Sequence, residues 1–220
     1  IVAIDSTLLK AKGHLWHKSS MIKGIVPRSG IIDTDARWGF SHTKGWVFGY
    51  KLHMISSTGL TTIVPLAADF TTGNVQDNQM YNPMTSSMTT TTTTTTIPDE
   101  KICYMIGDCG YDDQKLYDLS INRGFELICP VQRYEHTPAD RLELIQFYES
   151  ELGQAIYSWR SKSIEPLIEH LKSVFRIDPL PVRGYQKAAG IVLLSVLLYQ
   201  ILVYYNYKTR RNQEPKAIKH

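Results

Sequence analysis

Cysteine is scarce in this 220-residue sequence, and its three copies form no metal-binding pattern. Cys103, Cys109 and Cys129 include no Cys-x-x-Cys pair, which argues against a structural zinc site and favours a reducing, intracellular setting. No basic leader followed by an apolar segment opens the chain, so no signal peptide is recognisable. An initiator methionine is also missing, and we expect the sequence to begin inside a longer parent protein. Neither a glycine-rich phosphate loop nor a Ser–His–Asp order stands out.

Acidic residues are missing from residues 6–32, although the net charge of the whole chain is only +3. That stretch carries five basic side chains, which are Lys10, Lys12, Lys18, Lys23 and Arg28. Residues 208–220 repeat the imbalance, with five Lys or Arg residues against Glu214. Such segments fit a polyanion better than an acidic substrate. The alternative is that they are solvated loops and an ordinary charged tail.

Long apolar runs are rare as well, and a single one approaches the length of a membrane span. Residues 188–205 are interrupted only by Gly190, Ser195 and Gln200. Eighteen residues lie at the short limit for crossing about 30 Å of hydrocarbon. We favour a buried helix that covers a soluble domain and expect no membrane partner. A small membrane-anchored protein is the competing hypothesis.

The order of apolar and polar segments predicts one α/β domain at residues 1–207, followed by a basic tail at 208–220. The domain is expected to hold a mixed five-stranded sheet, with antiparallel first three strands, then parallel ones, and helices on both faces. The expected strands are residues 1–5, 46–56, 60–67, 101–107 and 125–129. Thr89 to Thr96 form an unbroken threonine run, which we interpret as a low-complexity linker or a strand-prone patch inside the domain.

Three acids stand where a cation site is expected. Asp5 and Asp108 each follow an apolar strand, and Glu165 lies in the first turn of a predicted helix that Ser163 would cap. Side chains at strand ends converge on one edge of such a sheet, and a helix N-terminus favours a negative charge. Carboxylate oxygens are the ligands that Mg²⁺ prefers. Taken singly, each acid is more often a turn former or a helix-start residue.

Basic and aromatic residues around Glu165 suit a phosphate. Lys172 lies two turns further along the same helix face, and Tyr157 and Arg160 precede Glu165. Lys51 and His53 share one face of the second strand, where they either approach DNA or complete the sheet. Weaker candidates are the pair His14 and His17, which lacks a third ligand nearby, and two residues that would support the site from behind, Asn74 and Asp77.

At these residues the sequence resembles the DDE transposases of prokaryotic insertion sequences, in particular the insertion-sequence-four-like group. Residues 5–7 read Asp-Ser-Thr after a strand, and residues 107–112 contain an Asp-x-Gly-Tyr block. Tyr157, Arg160, Glu165 and Lys172 resemble the Tyr-x2-Arg-x3-Glu-x6-Lys signature, with four residues rather than three between the arginine and the glutamate. Residues 49–53 look like the second strand of that family.

The resemblance implies a ribonuclease-H-like catalytic domain that cuts transposon ends and transfers them to target DNA. Asp5, Asp108 and Glu165 would be the catalytic residues and would bind two Mg²⁺ ions, for which Mn²⁺ may substitute. The DNA-binding residues would be Tyr157, Arg160, Lys172, Lys51 and His53. The implied partners are transposon-end and target DNA and a second copy in a homodimer, and the implied location is the prokaryotic cytoplasm, at the nucleoid when bound. The alternative is a truncated, catalytically inactive relic that only binds DNA, which the arginine spacing and the threonine run favour.

Overall fold

The computed structural model describes residues 1–26, 30–41, 43–59, 63–92, 102–133 and 137–209. Within these residues, four strands and one short helix precede the first long helix, and five helices follow the last strand. The elements are β1 Val2–Lys10, α1 Lys18–Ile22, β2 Arg37–Ser41, β3 Gly45–Ser57, β4 Pro65–Thr72, α2 Asp77–Thr92, β5 Tyr104–Ile106, α3 Gln114–Asn122, β6 Glu126–Ile128, α4 Ala139–Glu149, α5 Glu151–Tyr157, α6 Trp159–Lys162, α7 Ile164–Val174 and α8 Tyr185–Lys208.

The strands form one mixed sheet in the order β2-β3-β1-β5-β6, and β4 pairs with β3. β1, β5 and β6 run parallel, whereas β2 and β3 run antiparallel. The predicted fold class, a mixed α/β sheet with helices, is therefore confirmed. The predicted number of five strands is wrong, because Arg37–Ser41 pairs with the start of β3 and adds a sixth strand among the described residues.

Several strand boundaries differ from the prediction, most clearly those of β1 and β4. β1 does not stop at Asp5 but continues to Lys10, because Leu8 and Leu9 are buried and extend the apolar pattern of the strand. β4 begins at Pro65, later than the predicted start at Leu60. Residues 60–62 lie outside the described residues. The basic stretch after Asp5 is thus partly strand and not only loop.

The chain divides into two compact units. The first comprises Ile1–Asp5, Met54–Ala67 and Gln76–Leu167, and the second comprises Ser6–His53, Ala68–Val75 and Ile168–His220. In the first unit α3 packs on β6 and α2 packs on α3. Its core includes Ile4, Ile55, Met105, Tyr111 and Leu127. The burial of these side chains supplies the main stabilisation of this unit.

In the second unit, aromatic rings and two aspartates hold the start of α8. The rings of Tyr50 and Phe70 stack at 5.1 Å between centroids, and Tyr185 packs against Phe70 at 5.6 Å. Asp33 accepts hydrogen bonds from the Tyr50 hydroxyl and from the Gly184 amide, both at 2.9 Å. An acid beside the first amides of a helix satisfies donors that lack partners within the helix and complements the helix dipole.

The long helix α2 extends into the threonine run, which the sequence predicted to be a low-complexity linker or a strand-prone patch. The helix includes Thr89–Thr92, so the linker prediction is wrong for these four residues, and Thr93–Thr96 lie outside the described residues. Tyr81, Met84 and Met88 are buried on one face of α2. Their spacing of three and four residues fixes the helix by packing, which overrides the low helix propensity of threonine.

The apolar helix α8 has two different faces. Its buried residues recur every three or four positions and are Ala188, Val192, Ser195, Val196, Tyr199, Val203 and Asn206. The predicted core helix is thus present along one stripe. The opposite face exposes Leu194, Leu198 and Ile201, and the helix is long and apolar enough to cross a membrane by length and composition alone.

Candidate active site

Asp5 lies within β1, beside the place where β5 ends. The prediction that this residue terminates its strand is wrong, but the register explains why its position still suits a site. Ala3 pairs with Ile106, the last residue of the parallel strand β5. Two residues further on, Asp5 stands level with the residues that follow β5. Its side chain is 12% exposed, so the carboxylate is held by strand backbone and largely enclosed.

Asp108 follows β5 and begins a single 3-10 turn, Cys109–Tyr111. Its Oδ1 accepts a hydrogen bond from the Gly110 amide at 2.9 Å. Two glycines make the turn possible. A Cβ on Gly107 would lie 2.8 Å from the Tyr111 ring, and a Cβ on Gly110 would lie 3.0 Å from Asp108 Oδ1. Gly107 and Gly110 therefore keep the Asp108 carboxylate close to the end of the strand.

Glu165 lies in the first turn of α7, and Arg160 joins it to Asp5. Arg160 Nη1 donates to Glu165 Oε1 at 2.7 Å, and Arg160 Nη2 donates to Asp5 Oδ2 at 2.8 Å. All three residues belong to the first unit. One guanidinium thus brings together two acids that are 160 positions apart. The hydroxyl of Ser163, the predicted cap of this helix, donates back to Trp159 O at 2.6 Å.

The electrostatics of Arg160 reflect the acids around it. Burial alone would lower the pKa of the guanidinium, but the neighbouring Asp5, Tyr157, Glu165 and Asp108 outweigh burial and raise it above its ordinary value. Asp108 therefore acts on the same cation as the other two acids. The extra residue between Arg160 and Glu165 does not separate their side chains. The helix is interrupted between α6 and α7, and this change of direction places the arginine beside the glutamate.

Asp77 and Tyr111 complete the described surroundings of the acids. The Asp77 carboxylate lies against the same turn as Asp108, since a Cβ on Gly110 would be 3.6 Å from Asp77 Oδ2. Tyr111 is fully buried, and burial followed by Asp77, Asp5 and Asp108 raises the pKa of its hydroxyl well above the ordinary value. The Asp77 carboxylate adds negative charge beside the turn, whereas the protonated Tyr111 is neutral and encloses the turn. From the sequence, Asp77 is only a weak candidate and Tyr111 has no predicted role.

The other predicted residues fall into two groups. Tyr157 is in the first unit, and burial raises the pKa of its hydroxyl to about 12, so the hydroxyl stays protonated at neutral pH. Lys172, Lys51 and His53 belong to the second unit. There Lys172 Nζ donates to Glu169 at 2.9 Å, Lys51 Nζ donates to Val75 O at 2.8 Å, and His53 Nε2 contacts Thr71 Oγ1 at 2.9 Å.

The three acids offer the type of ligand atom that a hard divalent cation prefers. Asp5, Asp108 and Glu165 offer only carboxylate oxygens, which Mg²⁺ and Mn²⁺ favour. The positive group that lies between two of these carboxylates is Arg160. Within residues 1–26, 30–41, 43–59, 63–92, 102–133 and 137–209, no three His, Cys, Asp or Glu side chains gather closely enough to hold a metal ion.

Comparison with known proteins agrees with the fold. The sequence matches the family described as "Transposase DDE domain" over residues 1–201. The chain therefore belongs to the DDE transposase family, and its mixed sheet is the ribonuclease-H-like fold of that class. No curated protein and no solved structure matches the chain. Members of this family generally act on DNA as transposases and use divalent metal ions.

Proposed function

We propose that this chain is the catalytic domain of an insertion-sequence transposase, which cuts DNA strands and transfers them to a target. The observation that carries the proposal is the contact of Arg160 with both Asp5 and Glu165. Carboxylates from the start and the end of a domain share one cation only if the fold brings them to one place. Asp108 acts on the same guanidinium, which supports one site built from all three acids.

In the proposed mechanism, Asp5, Asp108 and Glu165 would hold two Mg²⁺ ions, or Mn²⁺ in their place. Such ions, when bound, activate an attacking oxygen and stabilise the leaving oxygen of the phosphate. The residues of the chain provide orientation. Asp5 is fixed by β1, and Asp108 is fixed by its bond to the Gly110 amide. Asp77 and Tyr111 hold a negative and enclosed environment behind them.

We propose that Arg160, Tyr157 and Lys172 contact the backbone of the transposon end, as the family resemblance implies. Arg160 carries a full charge and Tyr157 a protonated hydroxyl at neutral pH, so both can donate to phosphate oxygens. Lys51 and His53 remain further candidates for DNA contact. Assembly of two copies on paired DNA ends, in the prokaryotic cytoplasm, also belongs to this proposal. Sedimentation with and without end DNA tests that assembly.

The decisive experiment is strand cleavage of DNA that carries the terminal repeats of the element. Asp108→Asn should lower Mg²⁺- or Mn²⁺-dependent nicking by at least about 100-fold, which is the scale of losing one strong electrostatic contact in a transition state. Asp118→Asn is the matched control, because Asp118 is exposed on α3 and accepts a bond only from Gln114 among its hydrogen bonds described here. Equal cleavage by wild type and Asp108→Asn would contradict the proposed site.

A catalytically inactive relic that only binds DNA is the second candidate. It is favoured by the lack of a metal-holding group among the described residues and by the arginine that occupies the space between two acids. Titration with Mn²⁺, followed by electron paramagnetic resonance, separates the two candidates. An active enzyme binds Mn²⁺ and loses binding in Asp5→Asn, whereas a relic binds none in either form.

A further inference from the structure

The hairpin of β2 and β3 carries a ladder of four aromatic rings in the second unit. Trp38 lies opposite Phe48 and Phe40 lies opposite Trp46 in the antiparallel register. The ring centroids are 5.5 Å apart in the first pair and 5.4 Å apart in the second. Residues two positions apart in a strand share one face, so all four rings line the same face of the hairpin.

Exposure increases along this ladder towards the turn. Phe48 is buried, whereas Phe40 is 52% exposed and Trp46 is 56% exposed at the tip of the hairpin. Packing within the second unit explains the inner pair, since Trp38 also donates from Nε1 to Trp16 O at 2.7 Å. It does not explain the outer pair, which keeps about half of two large rings in contact with water. Covering hydrated apolar area of this kind with a ligand is favourable, because it removes the area from water.

Positive charge accompanies the exposed rings. Lys18 Nζ lies 3.7 Å from the centre of the Trp46 ring. A cleft of about 1020 Å³ adjoins the hairpin and shares Trp46 and Lys44 with it, and its other basic residues are Lys10 and Lys12. Among the described residues that line this cleft, Asp178 is the single acid, and Lys44 Nζ lies 3.2 Å from its carboxylate. The surface therefore has a net positive charge, in keeping with the acid-free residues 6–32.

We propose that this hairpin tip and the adjoining cleft bind unpaired DNA, with bases stacked on Trp46 and Phe40 and phosphates held by Lys18, Lys44, Lys10 and Lys12. Aromatic rings beside a positively charged groove are the common means of binding single strands. A paired base in a duplex has both faces covered by its neighbours, so two exposed rings select strands whose bases are unstacked. This surface goes beyond the proposed catalytic function, because it requires neither metal nor cleavage.

The test is the affinity of the full chain for a labelled oligothymidylate, measured by fluorescence anisotropy in EDTA. Trp46→Ala should weaken binding by at least about fivefold, since stacking of one base contributes a factor of about 5 to 150. Trp46→Tyr keeps a ring and should stay within about twofold of wild type. Tyr204→Ala is the matched control, because Tyr204 is another exposed aromatic residue beside a lysine, with Lys208 Nζ at 5.5 Å.

A second measurement keeps the test independent of folding defects. Lys18→Ala should reduce the slope of log affinity against log salt by about 0.7, the share of one phosphate contact on a single strand. Circular dichroism confirms that each variant is folded. Because EDTA removes metal, failure here is distinct from failure of the catalytic site.

Three results would overturn the proposal. One is equal oligothymidylate binding by wild type and Trp46→Ala, or none by wild type. Another is a duplex of the same length that binds as tightly and with the same dependence on Trp46. The last is a concentration-dependent dimer that Trp46→Ala dissociates while DNA binding is unchanged, which would assign the surface to a second copy of the chain.

Discussion

Two enclosed arginines in the first unit bind carboxylates in different ways. Arg141 Nη2 contacts both oxygens of Asp112 at 2.8 and 2.7 Å, and the same carboxylate accepts bonds from the Tyr117 hydroxyl and the Gln132 amide. Arg160 instead divides its two Nη groups between Asp5 and Glu165. One arrangement surrounds a single acid with donors, whereas the other sets a single cation between two acids.

The difference lies in how completely the protein itself balances the charge of each acid. The Asp112 carboxylate has several protein donors, and its side chain is 4% exposed, so no ligand is needed to balance its charge. At Arg160 two described acids share one cation, and the Glu165 side chain is 45% exposed. An excess of negative charge with access to solvent is what a divalent cation neutralises. We therefore expect the two arginines to respond differently to substitution and to metal.

The largest effect is expected from Arg141→Met. Removal of this guanidinium leaves a buried carboxylate without its counter-ion, which costs about 3 to 5 kcal/mol of the free energy of unfolding. Urea denaturation followed by circular dichroism measures the loss. Added Mg²⁺ should not restore it, because the Asp112 side chain is enclosed and keeps its hydrogen bonds from Tyr117 and Gln132. A loss below about 1 kcal/mol would contradict the structural role of this pair.

A smaller loss is expected from Arg160→Met, about 1 to 3 kcal/mol, because the exposed Glu165 is solvated while the enclosed Asp5 is left uncompensated. In this variant Mg²⁺ should raise the melting temperature more than it does in the wild type, since the ion then meets no competing cation. Differential scanning calorimetry with and without Mg²⁺ measures both effects. The comparison between the two arginines fails if Mg²⁺ stabilises Arg141→Met as much as Arg160→Met.

The smallest effect is expected from Arg133→Met, which serves as the common control. Arg133 binds Glu149 at 2.6 Å, but the two side chains are 65% and 52% exposed. Exposed ion pairs contribute about 0 to 1 kcal/mol and are screened by salt. Urea denaturation at low and high salt should show a small loss that salt removes. A larger loss would mean that exposure does not rank these three pairs.

Much of the sheet and the three acids could be predicted from the sequence because both depend on local patterns. Apolar runs identified β3, β5 and β6, and Asp5 and Asp108 were singled out because each follows an apolar run, whereas Glu165 was singled out at the start of a predicted helix. β2 was missed because five residues of mixed polarity become a strand only through pairing with β3. The helical Thr89–Thr92 was missed because tertiary packing of Tyr81, Met84 and Met88 decides that segment.

The contact of Arg160 with two acids could not be predicted at all. The motif spacing suggested that the arginine was displaced by one residue. The interruption between α6 and α7 nevertheless places its side chain beside Glu165. Pairs such as Arg160 and Asp5 depend on the path of the whole first unit. A motif spacing records distance along the chain and not the turn that lies between its residues.

The position of Asp5 within β1 means that the two ends of the site adapt unequally. A residue in the middle of a strand cannot shift without breaking backbone hydrogen bonds on both sides, whereas Glu165 has a longer side chain at the start of a helix and is nearly half exposed. If the proposed site binds cations, a change in their number or size would therefore be accommodated by Glu165, while Asp5 would keep its position.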